Sequence, residues 1–132
     1  MRVWLYARLS NDDDREMNSL LNQREICQAF AEQHRYAIVG QSFDDNISGM
    51  SFDRRGLDEL MAAVDADKID VVIVKDLSRL GRHRTQTALF IDYLREHQVR
   101  VISATEGIDT FRDEDDLIIG VRGLMNDYYA KD

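Results

Sequence analysis

The chain has 132 residues, 44% of them hydrophobic and 32% charged, which describes one globular domain with a buried core rather than a disordered tail. Its single cysteine excludes an internal disulfide. No run approaches the ~20 apolar residues of a membrane span, and no signal peptide opens the chain, so the expected setting is a reducing cytoplasm without membrane attachment. The net charge of −8 argues against a domain that grips a polyanion unaided, because phosphate contacts supply most non-specific affinity.

In chain order, residues 2–9 contain the apolar run Val3-Trp4-Leu5-Tyr6-Ala7 and predict a strand. Side chains alternate faces along it, so Tyr6, Arg8 and Ser10 are expected to project together. An arginine two residues before a serine at a strand end is unusual, and an edge salt bridge is its ordinary explanation. An acidic loop, 11–16, leads to a helix over 20–34 whose apolar line of Leu20, Cys27, Phe30 and Ala31 also takes in Gln23. Cys27 reads as a small core residue, whereas Gln23 on that line needs a polar partner. Residues 37–43 predict a second strand. Leu57, Leu60, Met61 and Val64 follow the i, i+3, i+4, i+7 rule of a helix that begins just after Gly56. Val71-Val72-Ile73-Val74 is a continuous β-branched run, as in a strand covered on both faces.

Between Lys75 and Arg84 four basic residues face one acid, a local balance of +3. If Ser78 opens a helix, Arg79 and Arg82 share a face of its first turn, where backbone N–H groups favour an anion. A solvated basic turn is the plain alternative. Residues 85–97 predict a helix burying Phe90, Ile91 and Leu94, and 99–103 a further strand. The stretch 106–116 is acidic, six acids against Arg112. Leu117, Val121, Leu124, Met125 and Tyr128 stripe a last helix, about 116–132, without a Gly or Pro stop. It is expected to lead out of the domain, to continue past Asp132 and to have part of its stripe either covered by a second copy or displaced and mobile.

Strands alternating with helices predict a single α/β domain: a mostly parallel central sheet of four to five strands, flanked by helices, with right-handed crossovers. Sites in such sheets form beyond the carboxyl ends of the strands. Ser10, then Asp44, Asp45 and Ser48, then Ser78, Arg79 and Arg82 are expected to meet there. Arginines from separate elements converging on one hydroxyl would repel one another unless an anion sat between them, and the guanidinium fork matches phosphate oxygens. That favours phosphoryl transfer. There is no G-x-S-x-G elbow and no phosphate-binding G-x-x-x-x-G-K loop, and the three histidines lack metal-ligand spacing. His83, beside Arg82, is within reach as a proton acceptor but reads as an exposed loop residue. Two other readings stay open. Asp12, Asp13, Asp14, Asp44 and Asp45 with Lys75 suggest a magnesium-binding phospho-receiver domain, although Asp76 falls one place late for its phosphorylated aspartate. A module that binds DNA or partners without chemistry is the other.

Four segments carry a resemblance. Tyr6-Ala7-Arg8-Leu9-Ser10 resembles the Y-x-R-x-S opening of the serine recombinases, which include resolvases, invertases and the large serine integrases and transposases. Asp45-Asn46-Ile47-Ser48-Gly49 resembles their D-x-x-S-G segment, Arg54-Arg55-Gly56-Leu57 their R-x-G-L helix start, and Leu77-Ser78-Arg79-Leu80-Gly81-Arg82 their L-D/S-R-L-G-R motif. The Lys75-to-Arg79 wording and the Asn126-to-Ala130 ending look most like large serine recombinases of conjugative or mobilisable transposons. The resemblance implies a resolvase-like N-terminal catalytic domain over residues 1–132, with DNA-binding domains outside it. It implies that Ser10 attacks a scissile phosphate of double-stranded DNA and forms a 5′-phosphoserine link. Arg8, Arg79 and Arg82 would stabilise the pentacoordinate phosphorus, with Arg54 assisting, while Tyr6, Gln23, Asp45, Ser48 and Ser78 bind substrate or order the site. It further implies no metal, nucleotide or other cofactor, a homodimer that pairs into a synaptic homotetramer, and excision or integration of a mobile element. Small resolvases carry aspartate at the place of Ser78 and glutamine at that of Asn18, so those two details transfer less directly.

Overall fold

The structure is a computed structural model that describes residues 1–10, 19–46, 54–81 and 83–111. In order it has β1 (Arg2–Ser10), α1 (Leu20–Gln33), β2 (Ala37–Asn46), α2 (Arg55–Asp65), β3 (Val71–Val74), a 3₁₀ turn (Leu77–Leu80), α3 (Arg84–Glu96), β4 (Arg100–Ser103) and β5 (Ile108–Asp109). The strands form one sheet in the order β2-β1-β3-β4-β5. The first four run parallel and β5 is antiparallel to β4. The expected α/β architecture is therefore present, with five strands.

Two cores explain why β3 is apolar at every position. On one face, Cys27 and Ala31 of α1 pack with Val3, Leu5, Val71, Ile73 and Ile102. On the other, Leu57, Leu60 and Val64 of α2 and Ile91 and Leu94 of α3 pack with Tyr6, Val72, Val74 and Val101. Alternate residues of one strand thus feed opposite cores. Burial pushes the Cys27 thiol up to about 12, which makes it a core residue with almost no thiolate. Helix α1 starts where the Ser19 hydroxyl accepts the Asn22 N–H at 3.0 Å, a side-chain N-cap.

The chain passes from β1 to β2 on one side and returns to β3 on the other. The sheet's topological switch point therefore lies between β1 and β3. Pairing of β1 with β3 stops at Leu5–Ile73, but β1 continues to Ser10. The main-chain groups of that overhang need partners from elsewhere.

Several boundaries differ from expectation. Strand β2 runs to Asn46 rather than Phe43. Ser78 does not open a helix: Leu77–Leu80 form a 3₁₀ turn followed by an extended Gly81, and Arg82 lies outside the described residues. Phe90 is only partly buried at the edge of its core. The acidic loop 11–16 and the last helix, about 116–132, lie outside the described residues. Among those described, no helix is long and apolar enough to cross a membrane.

Candidate active site at the switch point

The β1 overhang is completed by side chains instead of a strand. Gln23, fully buried on α1, accepts the Arg8 N–H at 3.1 Å through Oε1 and donates Nε2–H to the Arg8 carbonyl at 2.8 Å. Its amide thus imitates the donor–acceptor pair that a neighbouring strand would offer. This is the partner that Gln23's position on an apolar helix line demanded. Gln23→Leu would leave the Arg8 N–H without this acceptor, and a buried group left unsatisfied costs about 1–3 kcal/mol. We expect a loss of stability near the top of that range, measurable by urea denaturation.

Arg8 and Arg79 hold each other's backbone. Arg8, 8% exposed as a residue, donates through Nη2 of its guanidinium to the carbonyls of Ser78 and Gly81, the latter at 2.8 Å. Arg79, 5% exposed, donates Nη1–H to the Arg8 carbonyl at 2.9 Å. Each cation therefore fixes the segment that carries the other. Gly81 is required here because a Cβ would meet the Thr87 backbone nitrogen at 2.7 Å. The turn whose carbonyl receives Arg8 is thereby pressed onto the start of α3. Nearby, the Lys75 ammonium donates to Asn22 at 3.0 Å, and Glu106 accepts the Leu77 N–H at 2.9 Å.

A second layer lies beside β1. Asp44, 1% exposed, accepts from the Tyr6 hydroxyl at 2.6 Å and from the N–H groups of Gly56 at 2.7 Å and Leu57 at 3.0 Å. It acts as the N-terminal anion of α2, whose own cap residue, Arg54, makes no side-chain capping bond. A Cβ on Gly56 would meet the Phe43 carbonyl oxygen at 2.4 Å, so only glycine lets this helix start approach β2 closely enough. Asp44 was expected at this edge of the sheet, but without a role of its own in ordering the site. Its legible signal was an acid directly following an apolar strand, where a charge has to find donors.

Of the expected residues, the structure gathers Arg8, Gln23, Ser78 through its carbonyl, and Arg79 around the end of β1, the strand whose last residue is Ser10. Tyr6 is buried, and its hydroxyl donates to Asp44. Asp45 is exposed near the end of β2, in register with Leu9. Arg54 stands at the start of α2, half exposed and paired with Asp58 at 3.3 Å. Ser48 and Arg82 lie outside the described residues. His83 is exposed and caps α3, its Nδ1 accepting the Gln86 N–H at 3.3 Å. Asp76, which a phospho-receiver reading would need, is paired with Arg79 at 3.1 Å.

With this geometry in hand, the chain can be compared with known proteins. Residues 3–132 match the family described as Resolvase, N terminal domain. Transposon Tn3 resolvase of Escherichia coli is 31% identical over 121 residues, 92% of this chain and 60% of that protein. Serine recombinase gin of Escherichia phage Mu is 31% identical over 105 residues, 80% of this chain and 48% of that protein. The chain therefore spans roughly half to three fifths of these relatives' length. Among solved structures, a resolvase family site-specific recombinase from Streptococcus pneumoniae superposes with a TM-score of 0.79 at 28% identity, covering 99% of this chain and 89% of that one. The N-terminal catalytic domain of TP901-1 integrase superposes with a TM-score of 0.77 at 22% identity, covering 99% of this chain and 98% of that one, a likeness of fold.

Proposed function

Because the chain belongs to the Resolvase, N terminal domain, family, we propose that it is the catalytic part of a serine recombinase that cuts and rejoins double-stranded DNA through Ser10. The observation that carries this reading is the mutual hold of Arg8 and Arg79 at the sheet's switch point, next to the strand end at Ser10. Two guanidiniums kept together before substrate arrives suit a dianionic transition state better than any neutral ligand.

In the proposed step, the Ser10 oxygen forms a bond to the scissile phosphorus while the P–O3′ bond breaks. The serine proton ends on the departing 3′ hydroxyl. The product is a 5′-phosphoserine link, and attack on it by a 3′ hydroxyl reverses the step. The number of phosphodiester bonds is conserved, so no nucleotide is consumed. Arg8 and Arg79, joined by Arg82, stabilise the charge that builds on the non-bridging oxygens. Arg54 assists from the start of α2, and Asp45 and Ser48 order the loop after β2. In nucleotide hydrolases a single arginine in such a role is worth ~10³–10⁵ in rate. The partners of the parent protein are duplex DNA, a second copy in a dimer and a second dimer in the synaptic tetramer. Excision or integration of a mobile element is the proposed physiological outcome.

The test is to denature the parent protein in mid-reaction on duplex DNA and map the covalently bound 5′ end by peptide mass spectrometry. The expected attachment point is Ser10. Attachment elsewhere, or a reaction with no protein-linked DNA, would overturn the reading. Cleavage is also expected to persist in excess chelator, since guanidiniums supply the electrostatic stabilisation. Loss in chelator with recovery on adding magnesium would contradict that assignment.

A further inference from the structure

We propose that Asp76 is a positioning residue for Arg79, and that the charge of its carboxylate sets the direction in which that guanidinium meets the reacting phosphate. The inference rests on the functional reading above. One carboxylate oxygen, Oδ2, accepts from both Nε (3.2 Å) and Nη2 (3.1 Å) of Arg79. The other, Oδ1, accepts from the Ser78 N–H at 3.1 Å and from the Ser78 hydroxyl. A single side chain thus closes the N-terminal end of the 3₁₀ turn and grips one edge of the arginine that the turn carries.

The guanidinium is planar, so gripping the Nε–Nη2 edge fixes the direction of its other N–H bonds. Nη1 is consequently delivered to the Arg8 carbonyl at 2.9 Å. Exposure supports an electrostatic role. The Arg79 side chain is 5% exposed and that of Asp76 24%, so solvent screens this pair less than a surface ion pair. Arg54 and Asp58 provide the contrast: that i,i+4 pair is at least half exposed on both sides. Because the Ser78 hydroxyl reaches the same carboxylate oxygen, an acid carried at position 78 would bring its charge to nearly the same point.

That convergence separates charge from scaffolding. Asp76→Asn keeps the size of the side chain and its capacity to cap the turn, but removes the charge. In the full-length protein acting on a labelled duplex that carries the junction it recombines, we expect single-turnover adduct formation to fall about ten- to a hundredfold, the size expected for loss of a charged hydrogen-bond partner. DNA affinity should be unchanged, and the variant should remain fully folded at the assay temperature. Adding Ser78→Asp to Asp76→Asn should recover most of the lost rate. The proposal is overturned if the Asn variant cleaves at the wild-type rate, if its loss is matched by weaker DNA binding or by unfolding at the assay temperature, or if the double variant is no faster than the single one. Absence of a Ser10 adduct in the wild-type protein would remove the functional reading and this role with it. A wild-type adduct beside an unimpaired Asn variant would remove only the role of Asp76.

Discussion

Ser10→Ala in the full-length protein is expected to leave DNA affinity at the wild-type level and to reduce the covalent protein–DNA species below detection. The two halves of this expectation have separate physical origins. Affinity for duplex DNA comes mainly from cations that displace phosphate counterions, and the substitution removes none. Covalent attachment needs an oxygen nucleophile, and a methyl group cannot supply one. In a hydrolase whose residues act as a unit, removing the nucleophile alone costs about 10⁶ in rate. Stability should also hold, because the end of β1 is tied through the Arg8 backbone to Gln23 and Arg79. Gel separation of denatured complexes and a filter-binding titration read the two quantities independently. Adducts formed by the alanine variant at the wild-type rate would show that another group attacks. A large loss of affinity would show that the serine binds DNA instead of cutting it.

That contrast with Gln23 bears on how the site is built. Strand β3 is short, so β1 projects past it at the switch point, and its exposed ladder groups become attachment points. Gln23 and Arg79 both use the Arg8 carbonyl. The peptide unit two residues before the proposed nucleophile is consequently held by α1 from one side and by the 3₁₀ turn from the other. Catalytic groups need positioning within a few tenths of an ångström, and a strand end gripped from two elements supplies it better than a loop.

Much of this was legible in the residues. The β-branched run at 71–74 marked a strand with two covered faces, and it feeds both cores. Gln23 on an apolar helix line announced a buried polar partner, which proved to be the Arg8 backbone. Convergence of Arg8 and Arg79 followed from parallel-sheet topology. What local pattern did not carry was the manner of convergence, since backbone carbonyls as partners leave no trace in residue type. The shape of the 77–80 turn was misjudged for a related reason: Gly81 is set by its tight approach to Thr87, a tertiary constraint. Strand β2 looked finished at Phe43 because consecutive aspartates disfavour strands. Asp44 nevertheless sits inside it, because donors from α2 and Tyr6 satisfy its carboxylate.

Asp44→Ala is therefore expected to be among the most destabilising single substitutions in the domain. It removes the acceptor for three buried donors at once, the Tyr6 hydroxyl and the N–H groups of Gly56 and Leu57. Breaking a buried charged network by deleting one partner costs about 3–5 kcal/mol, and the start of α2 also loses the carboxylate that accepts its Gly56 and Leu57 N–H groups. Tyr6→Phe should cost far less, about 1 kcal/mol, because Asp44 keeps both backbone donors and the ring keeps its place in the core. Asp44→Asn should fall between the two, since one amide oxygen still accepts but its NH₂ group faces N–H donors. Urea denaturation of the three variants tests the ordering. Activity should follow a different one: Asp44 connects β1 to the start of α2, where Arg54 stands, so even the milder Asn variant should slow cleavage under conditions in which it remains folded. Equal stability of Asp44→Ala and the wild type would mean that the close approach of α2 to β2, enforced at Gly56, holds this corner without the carboxylate.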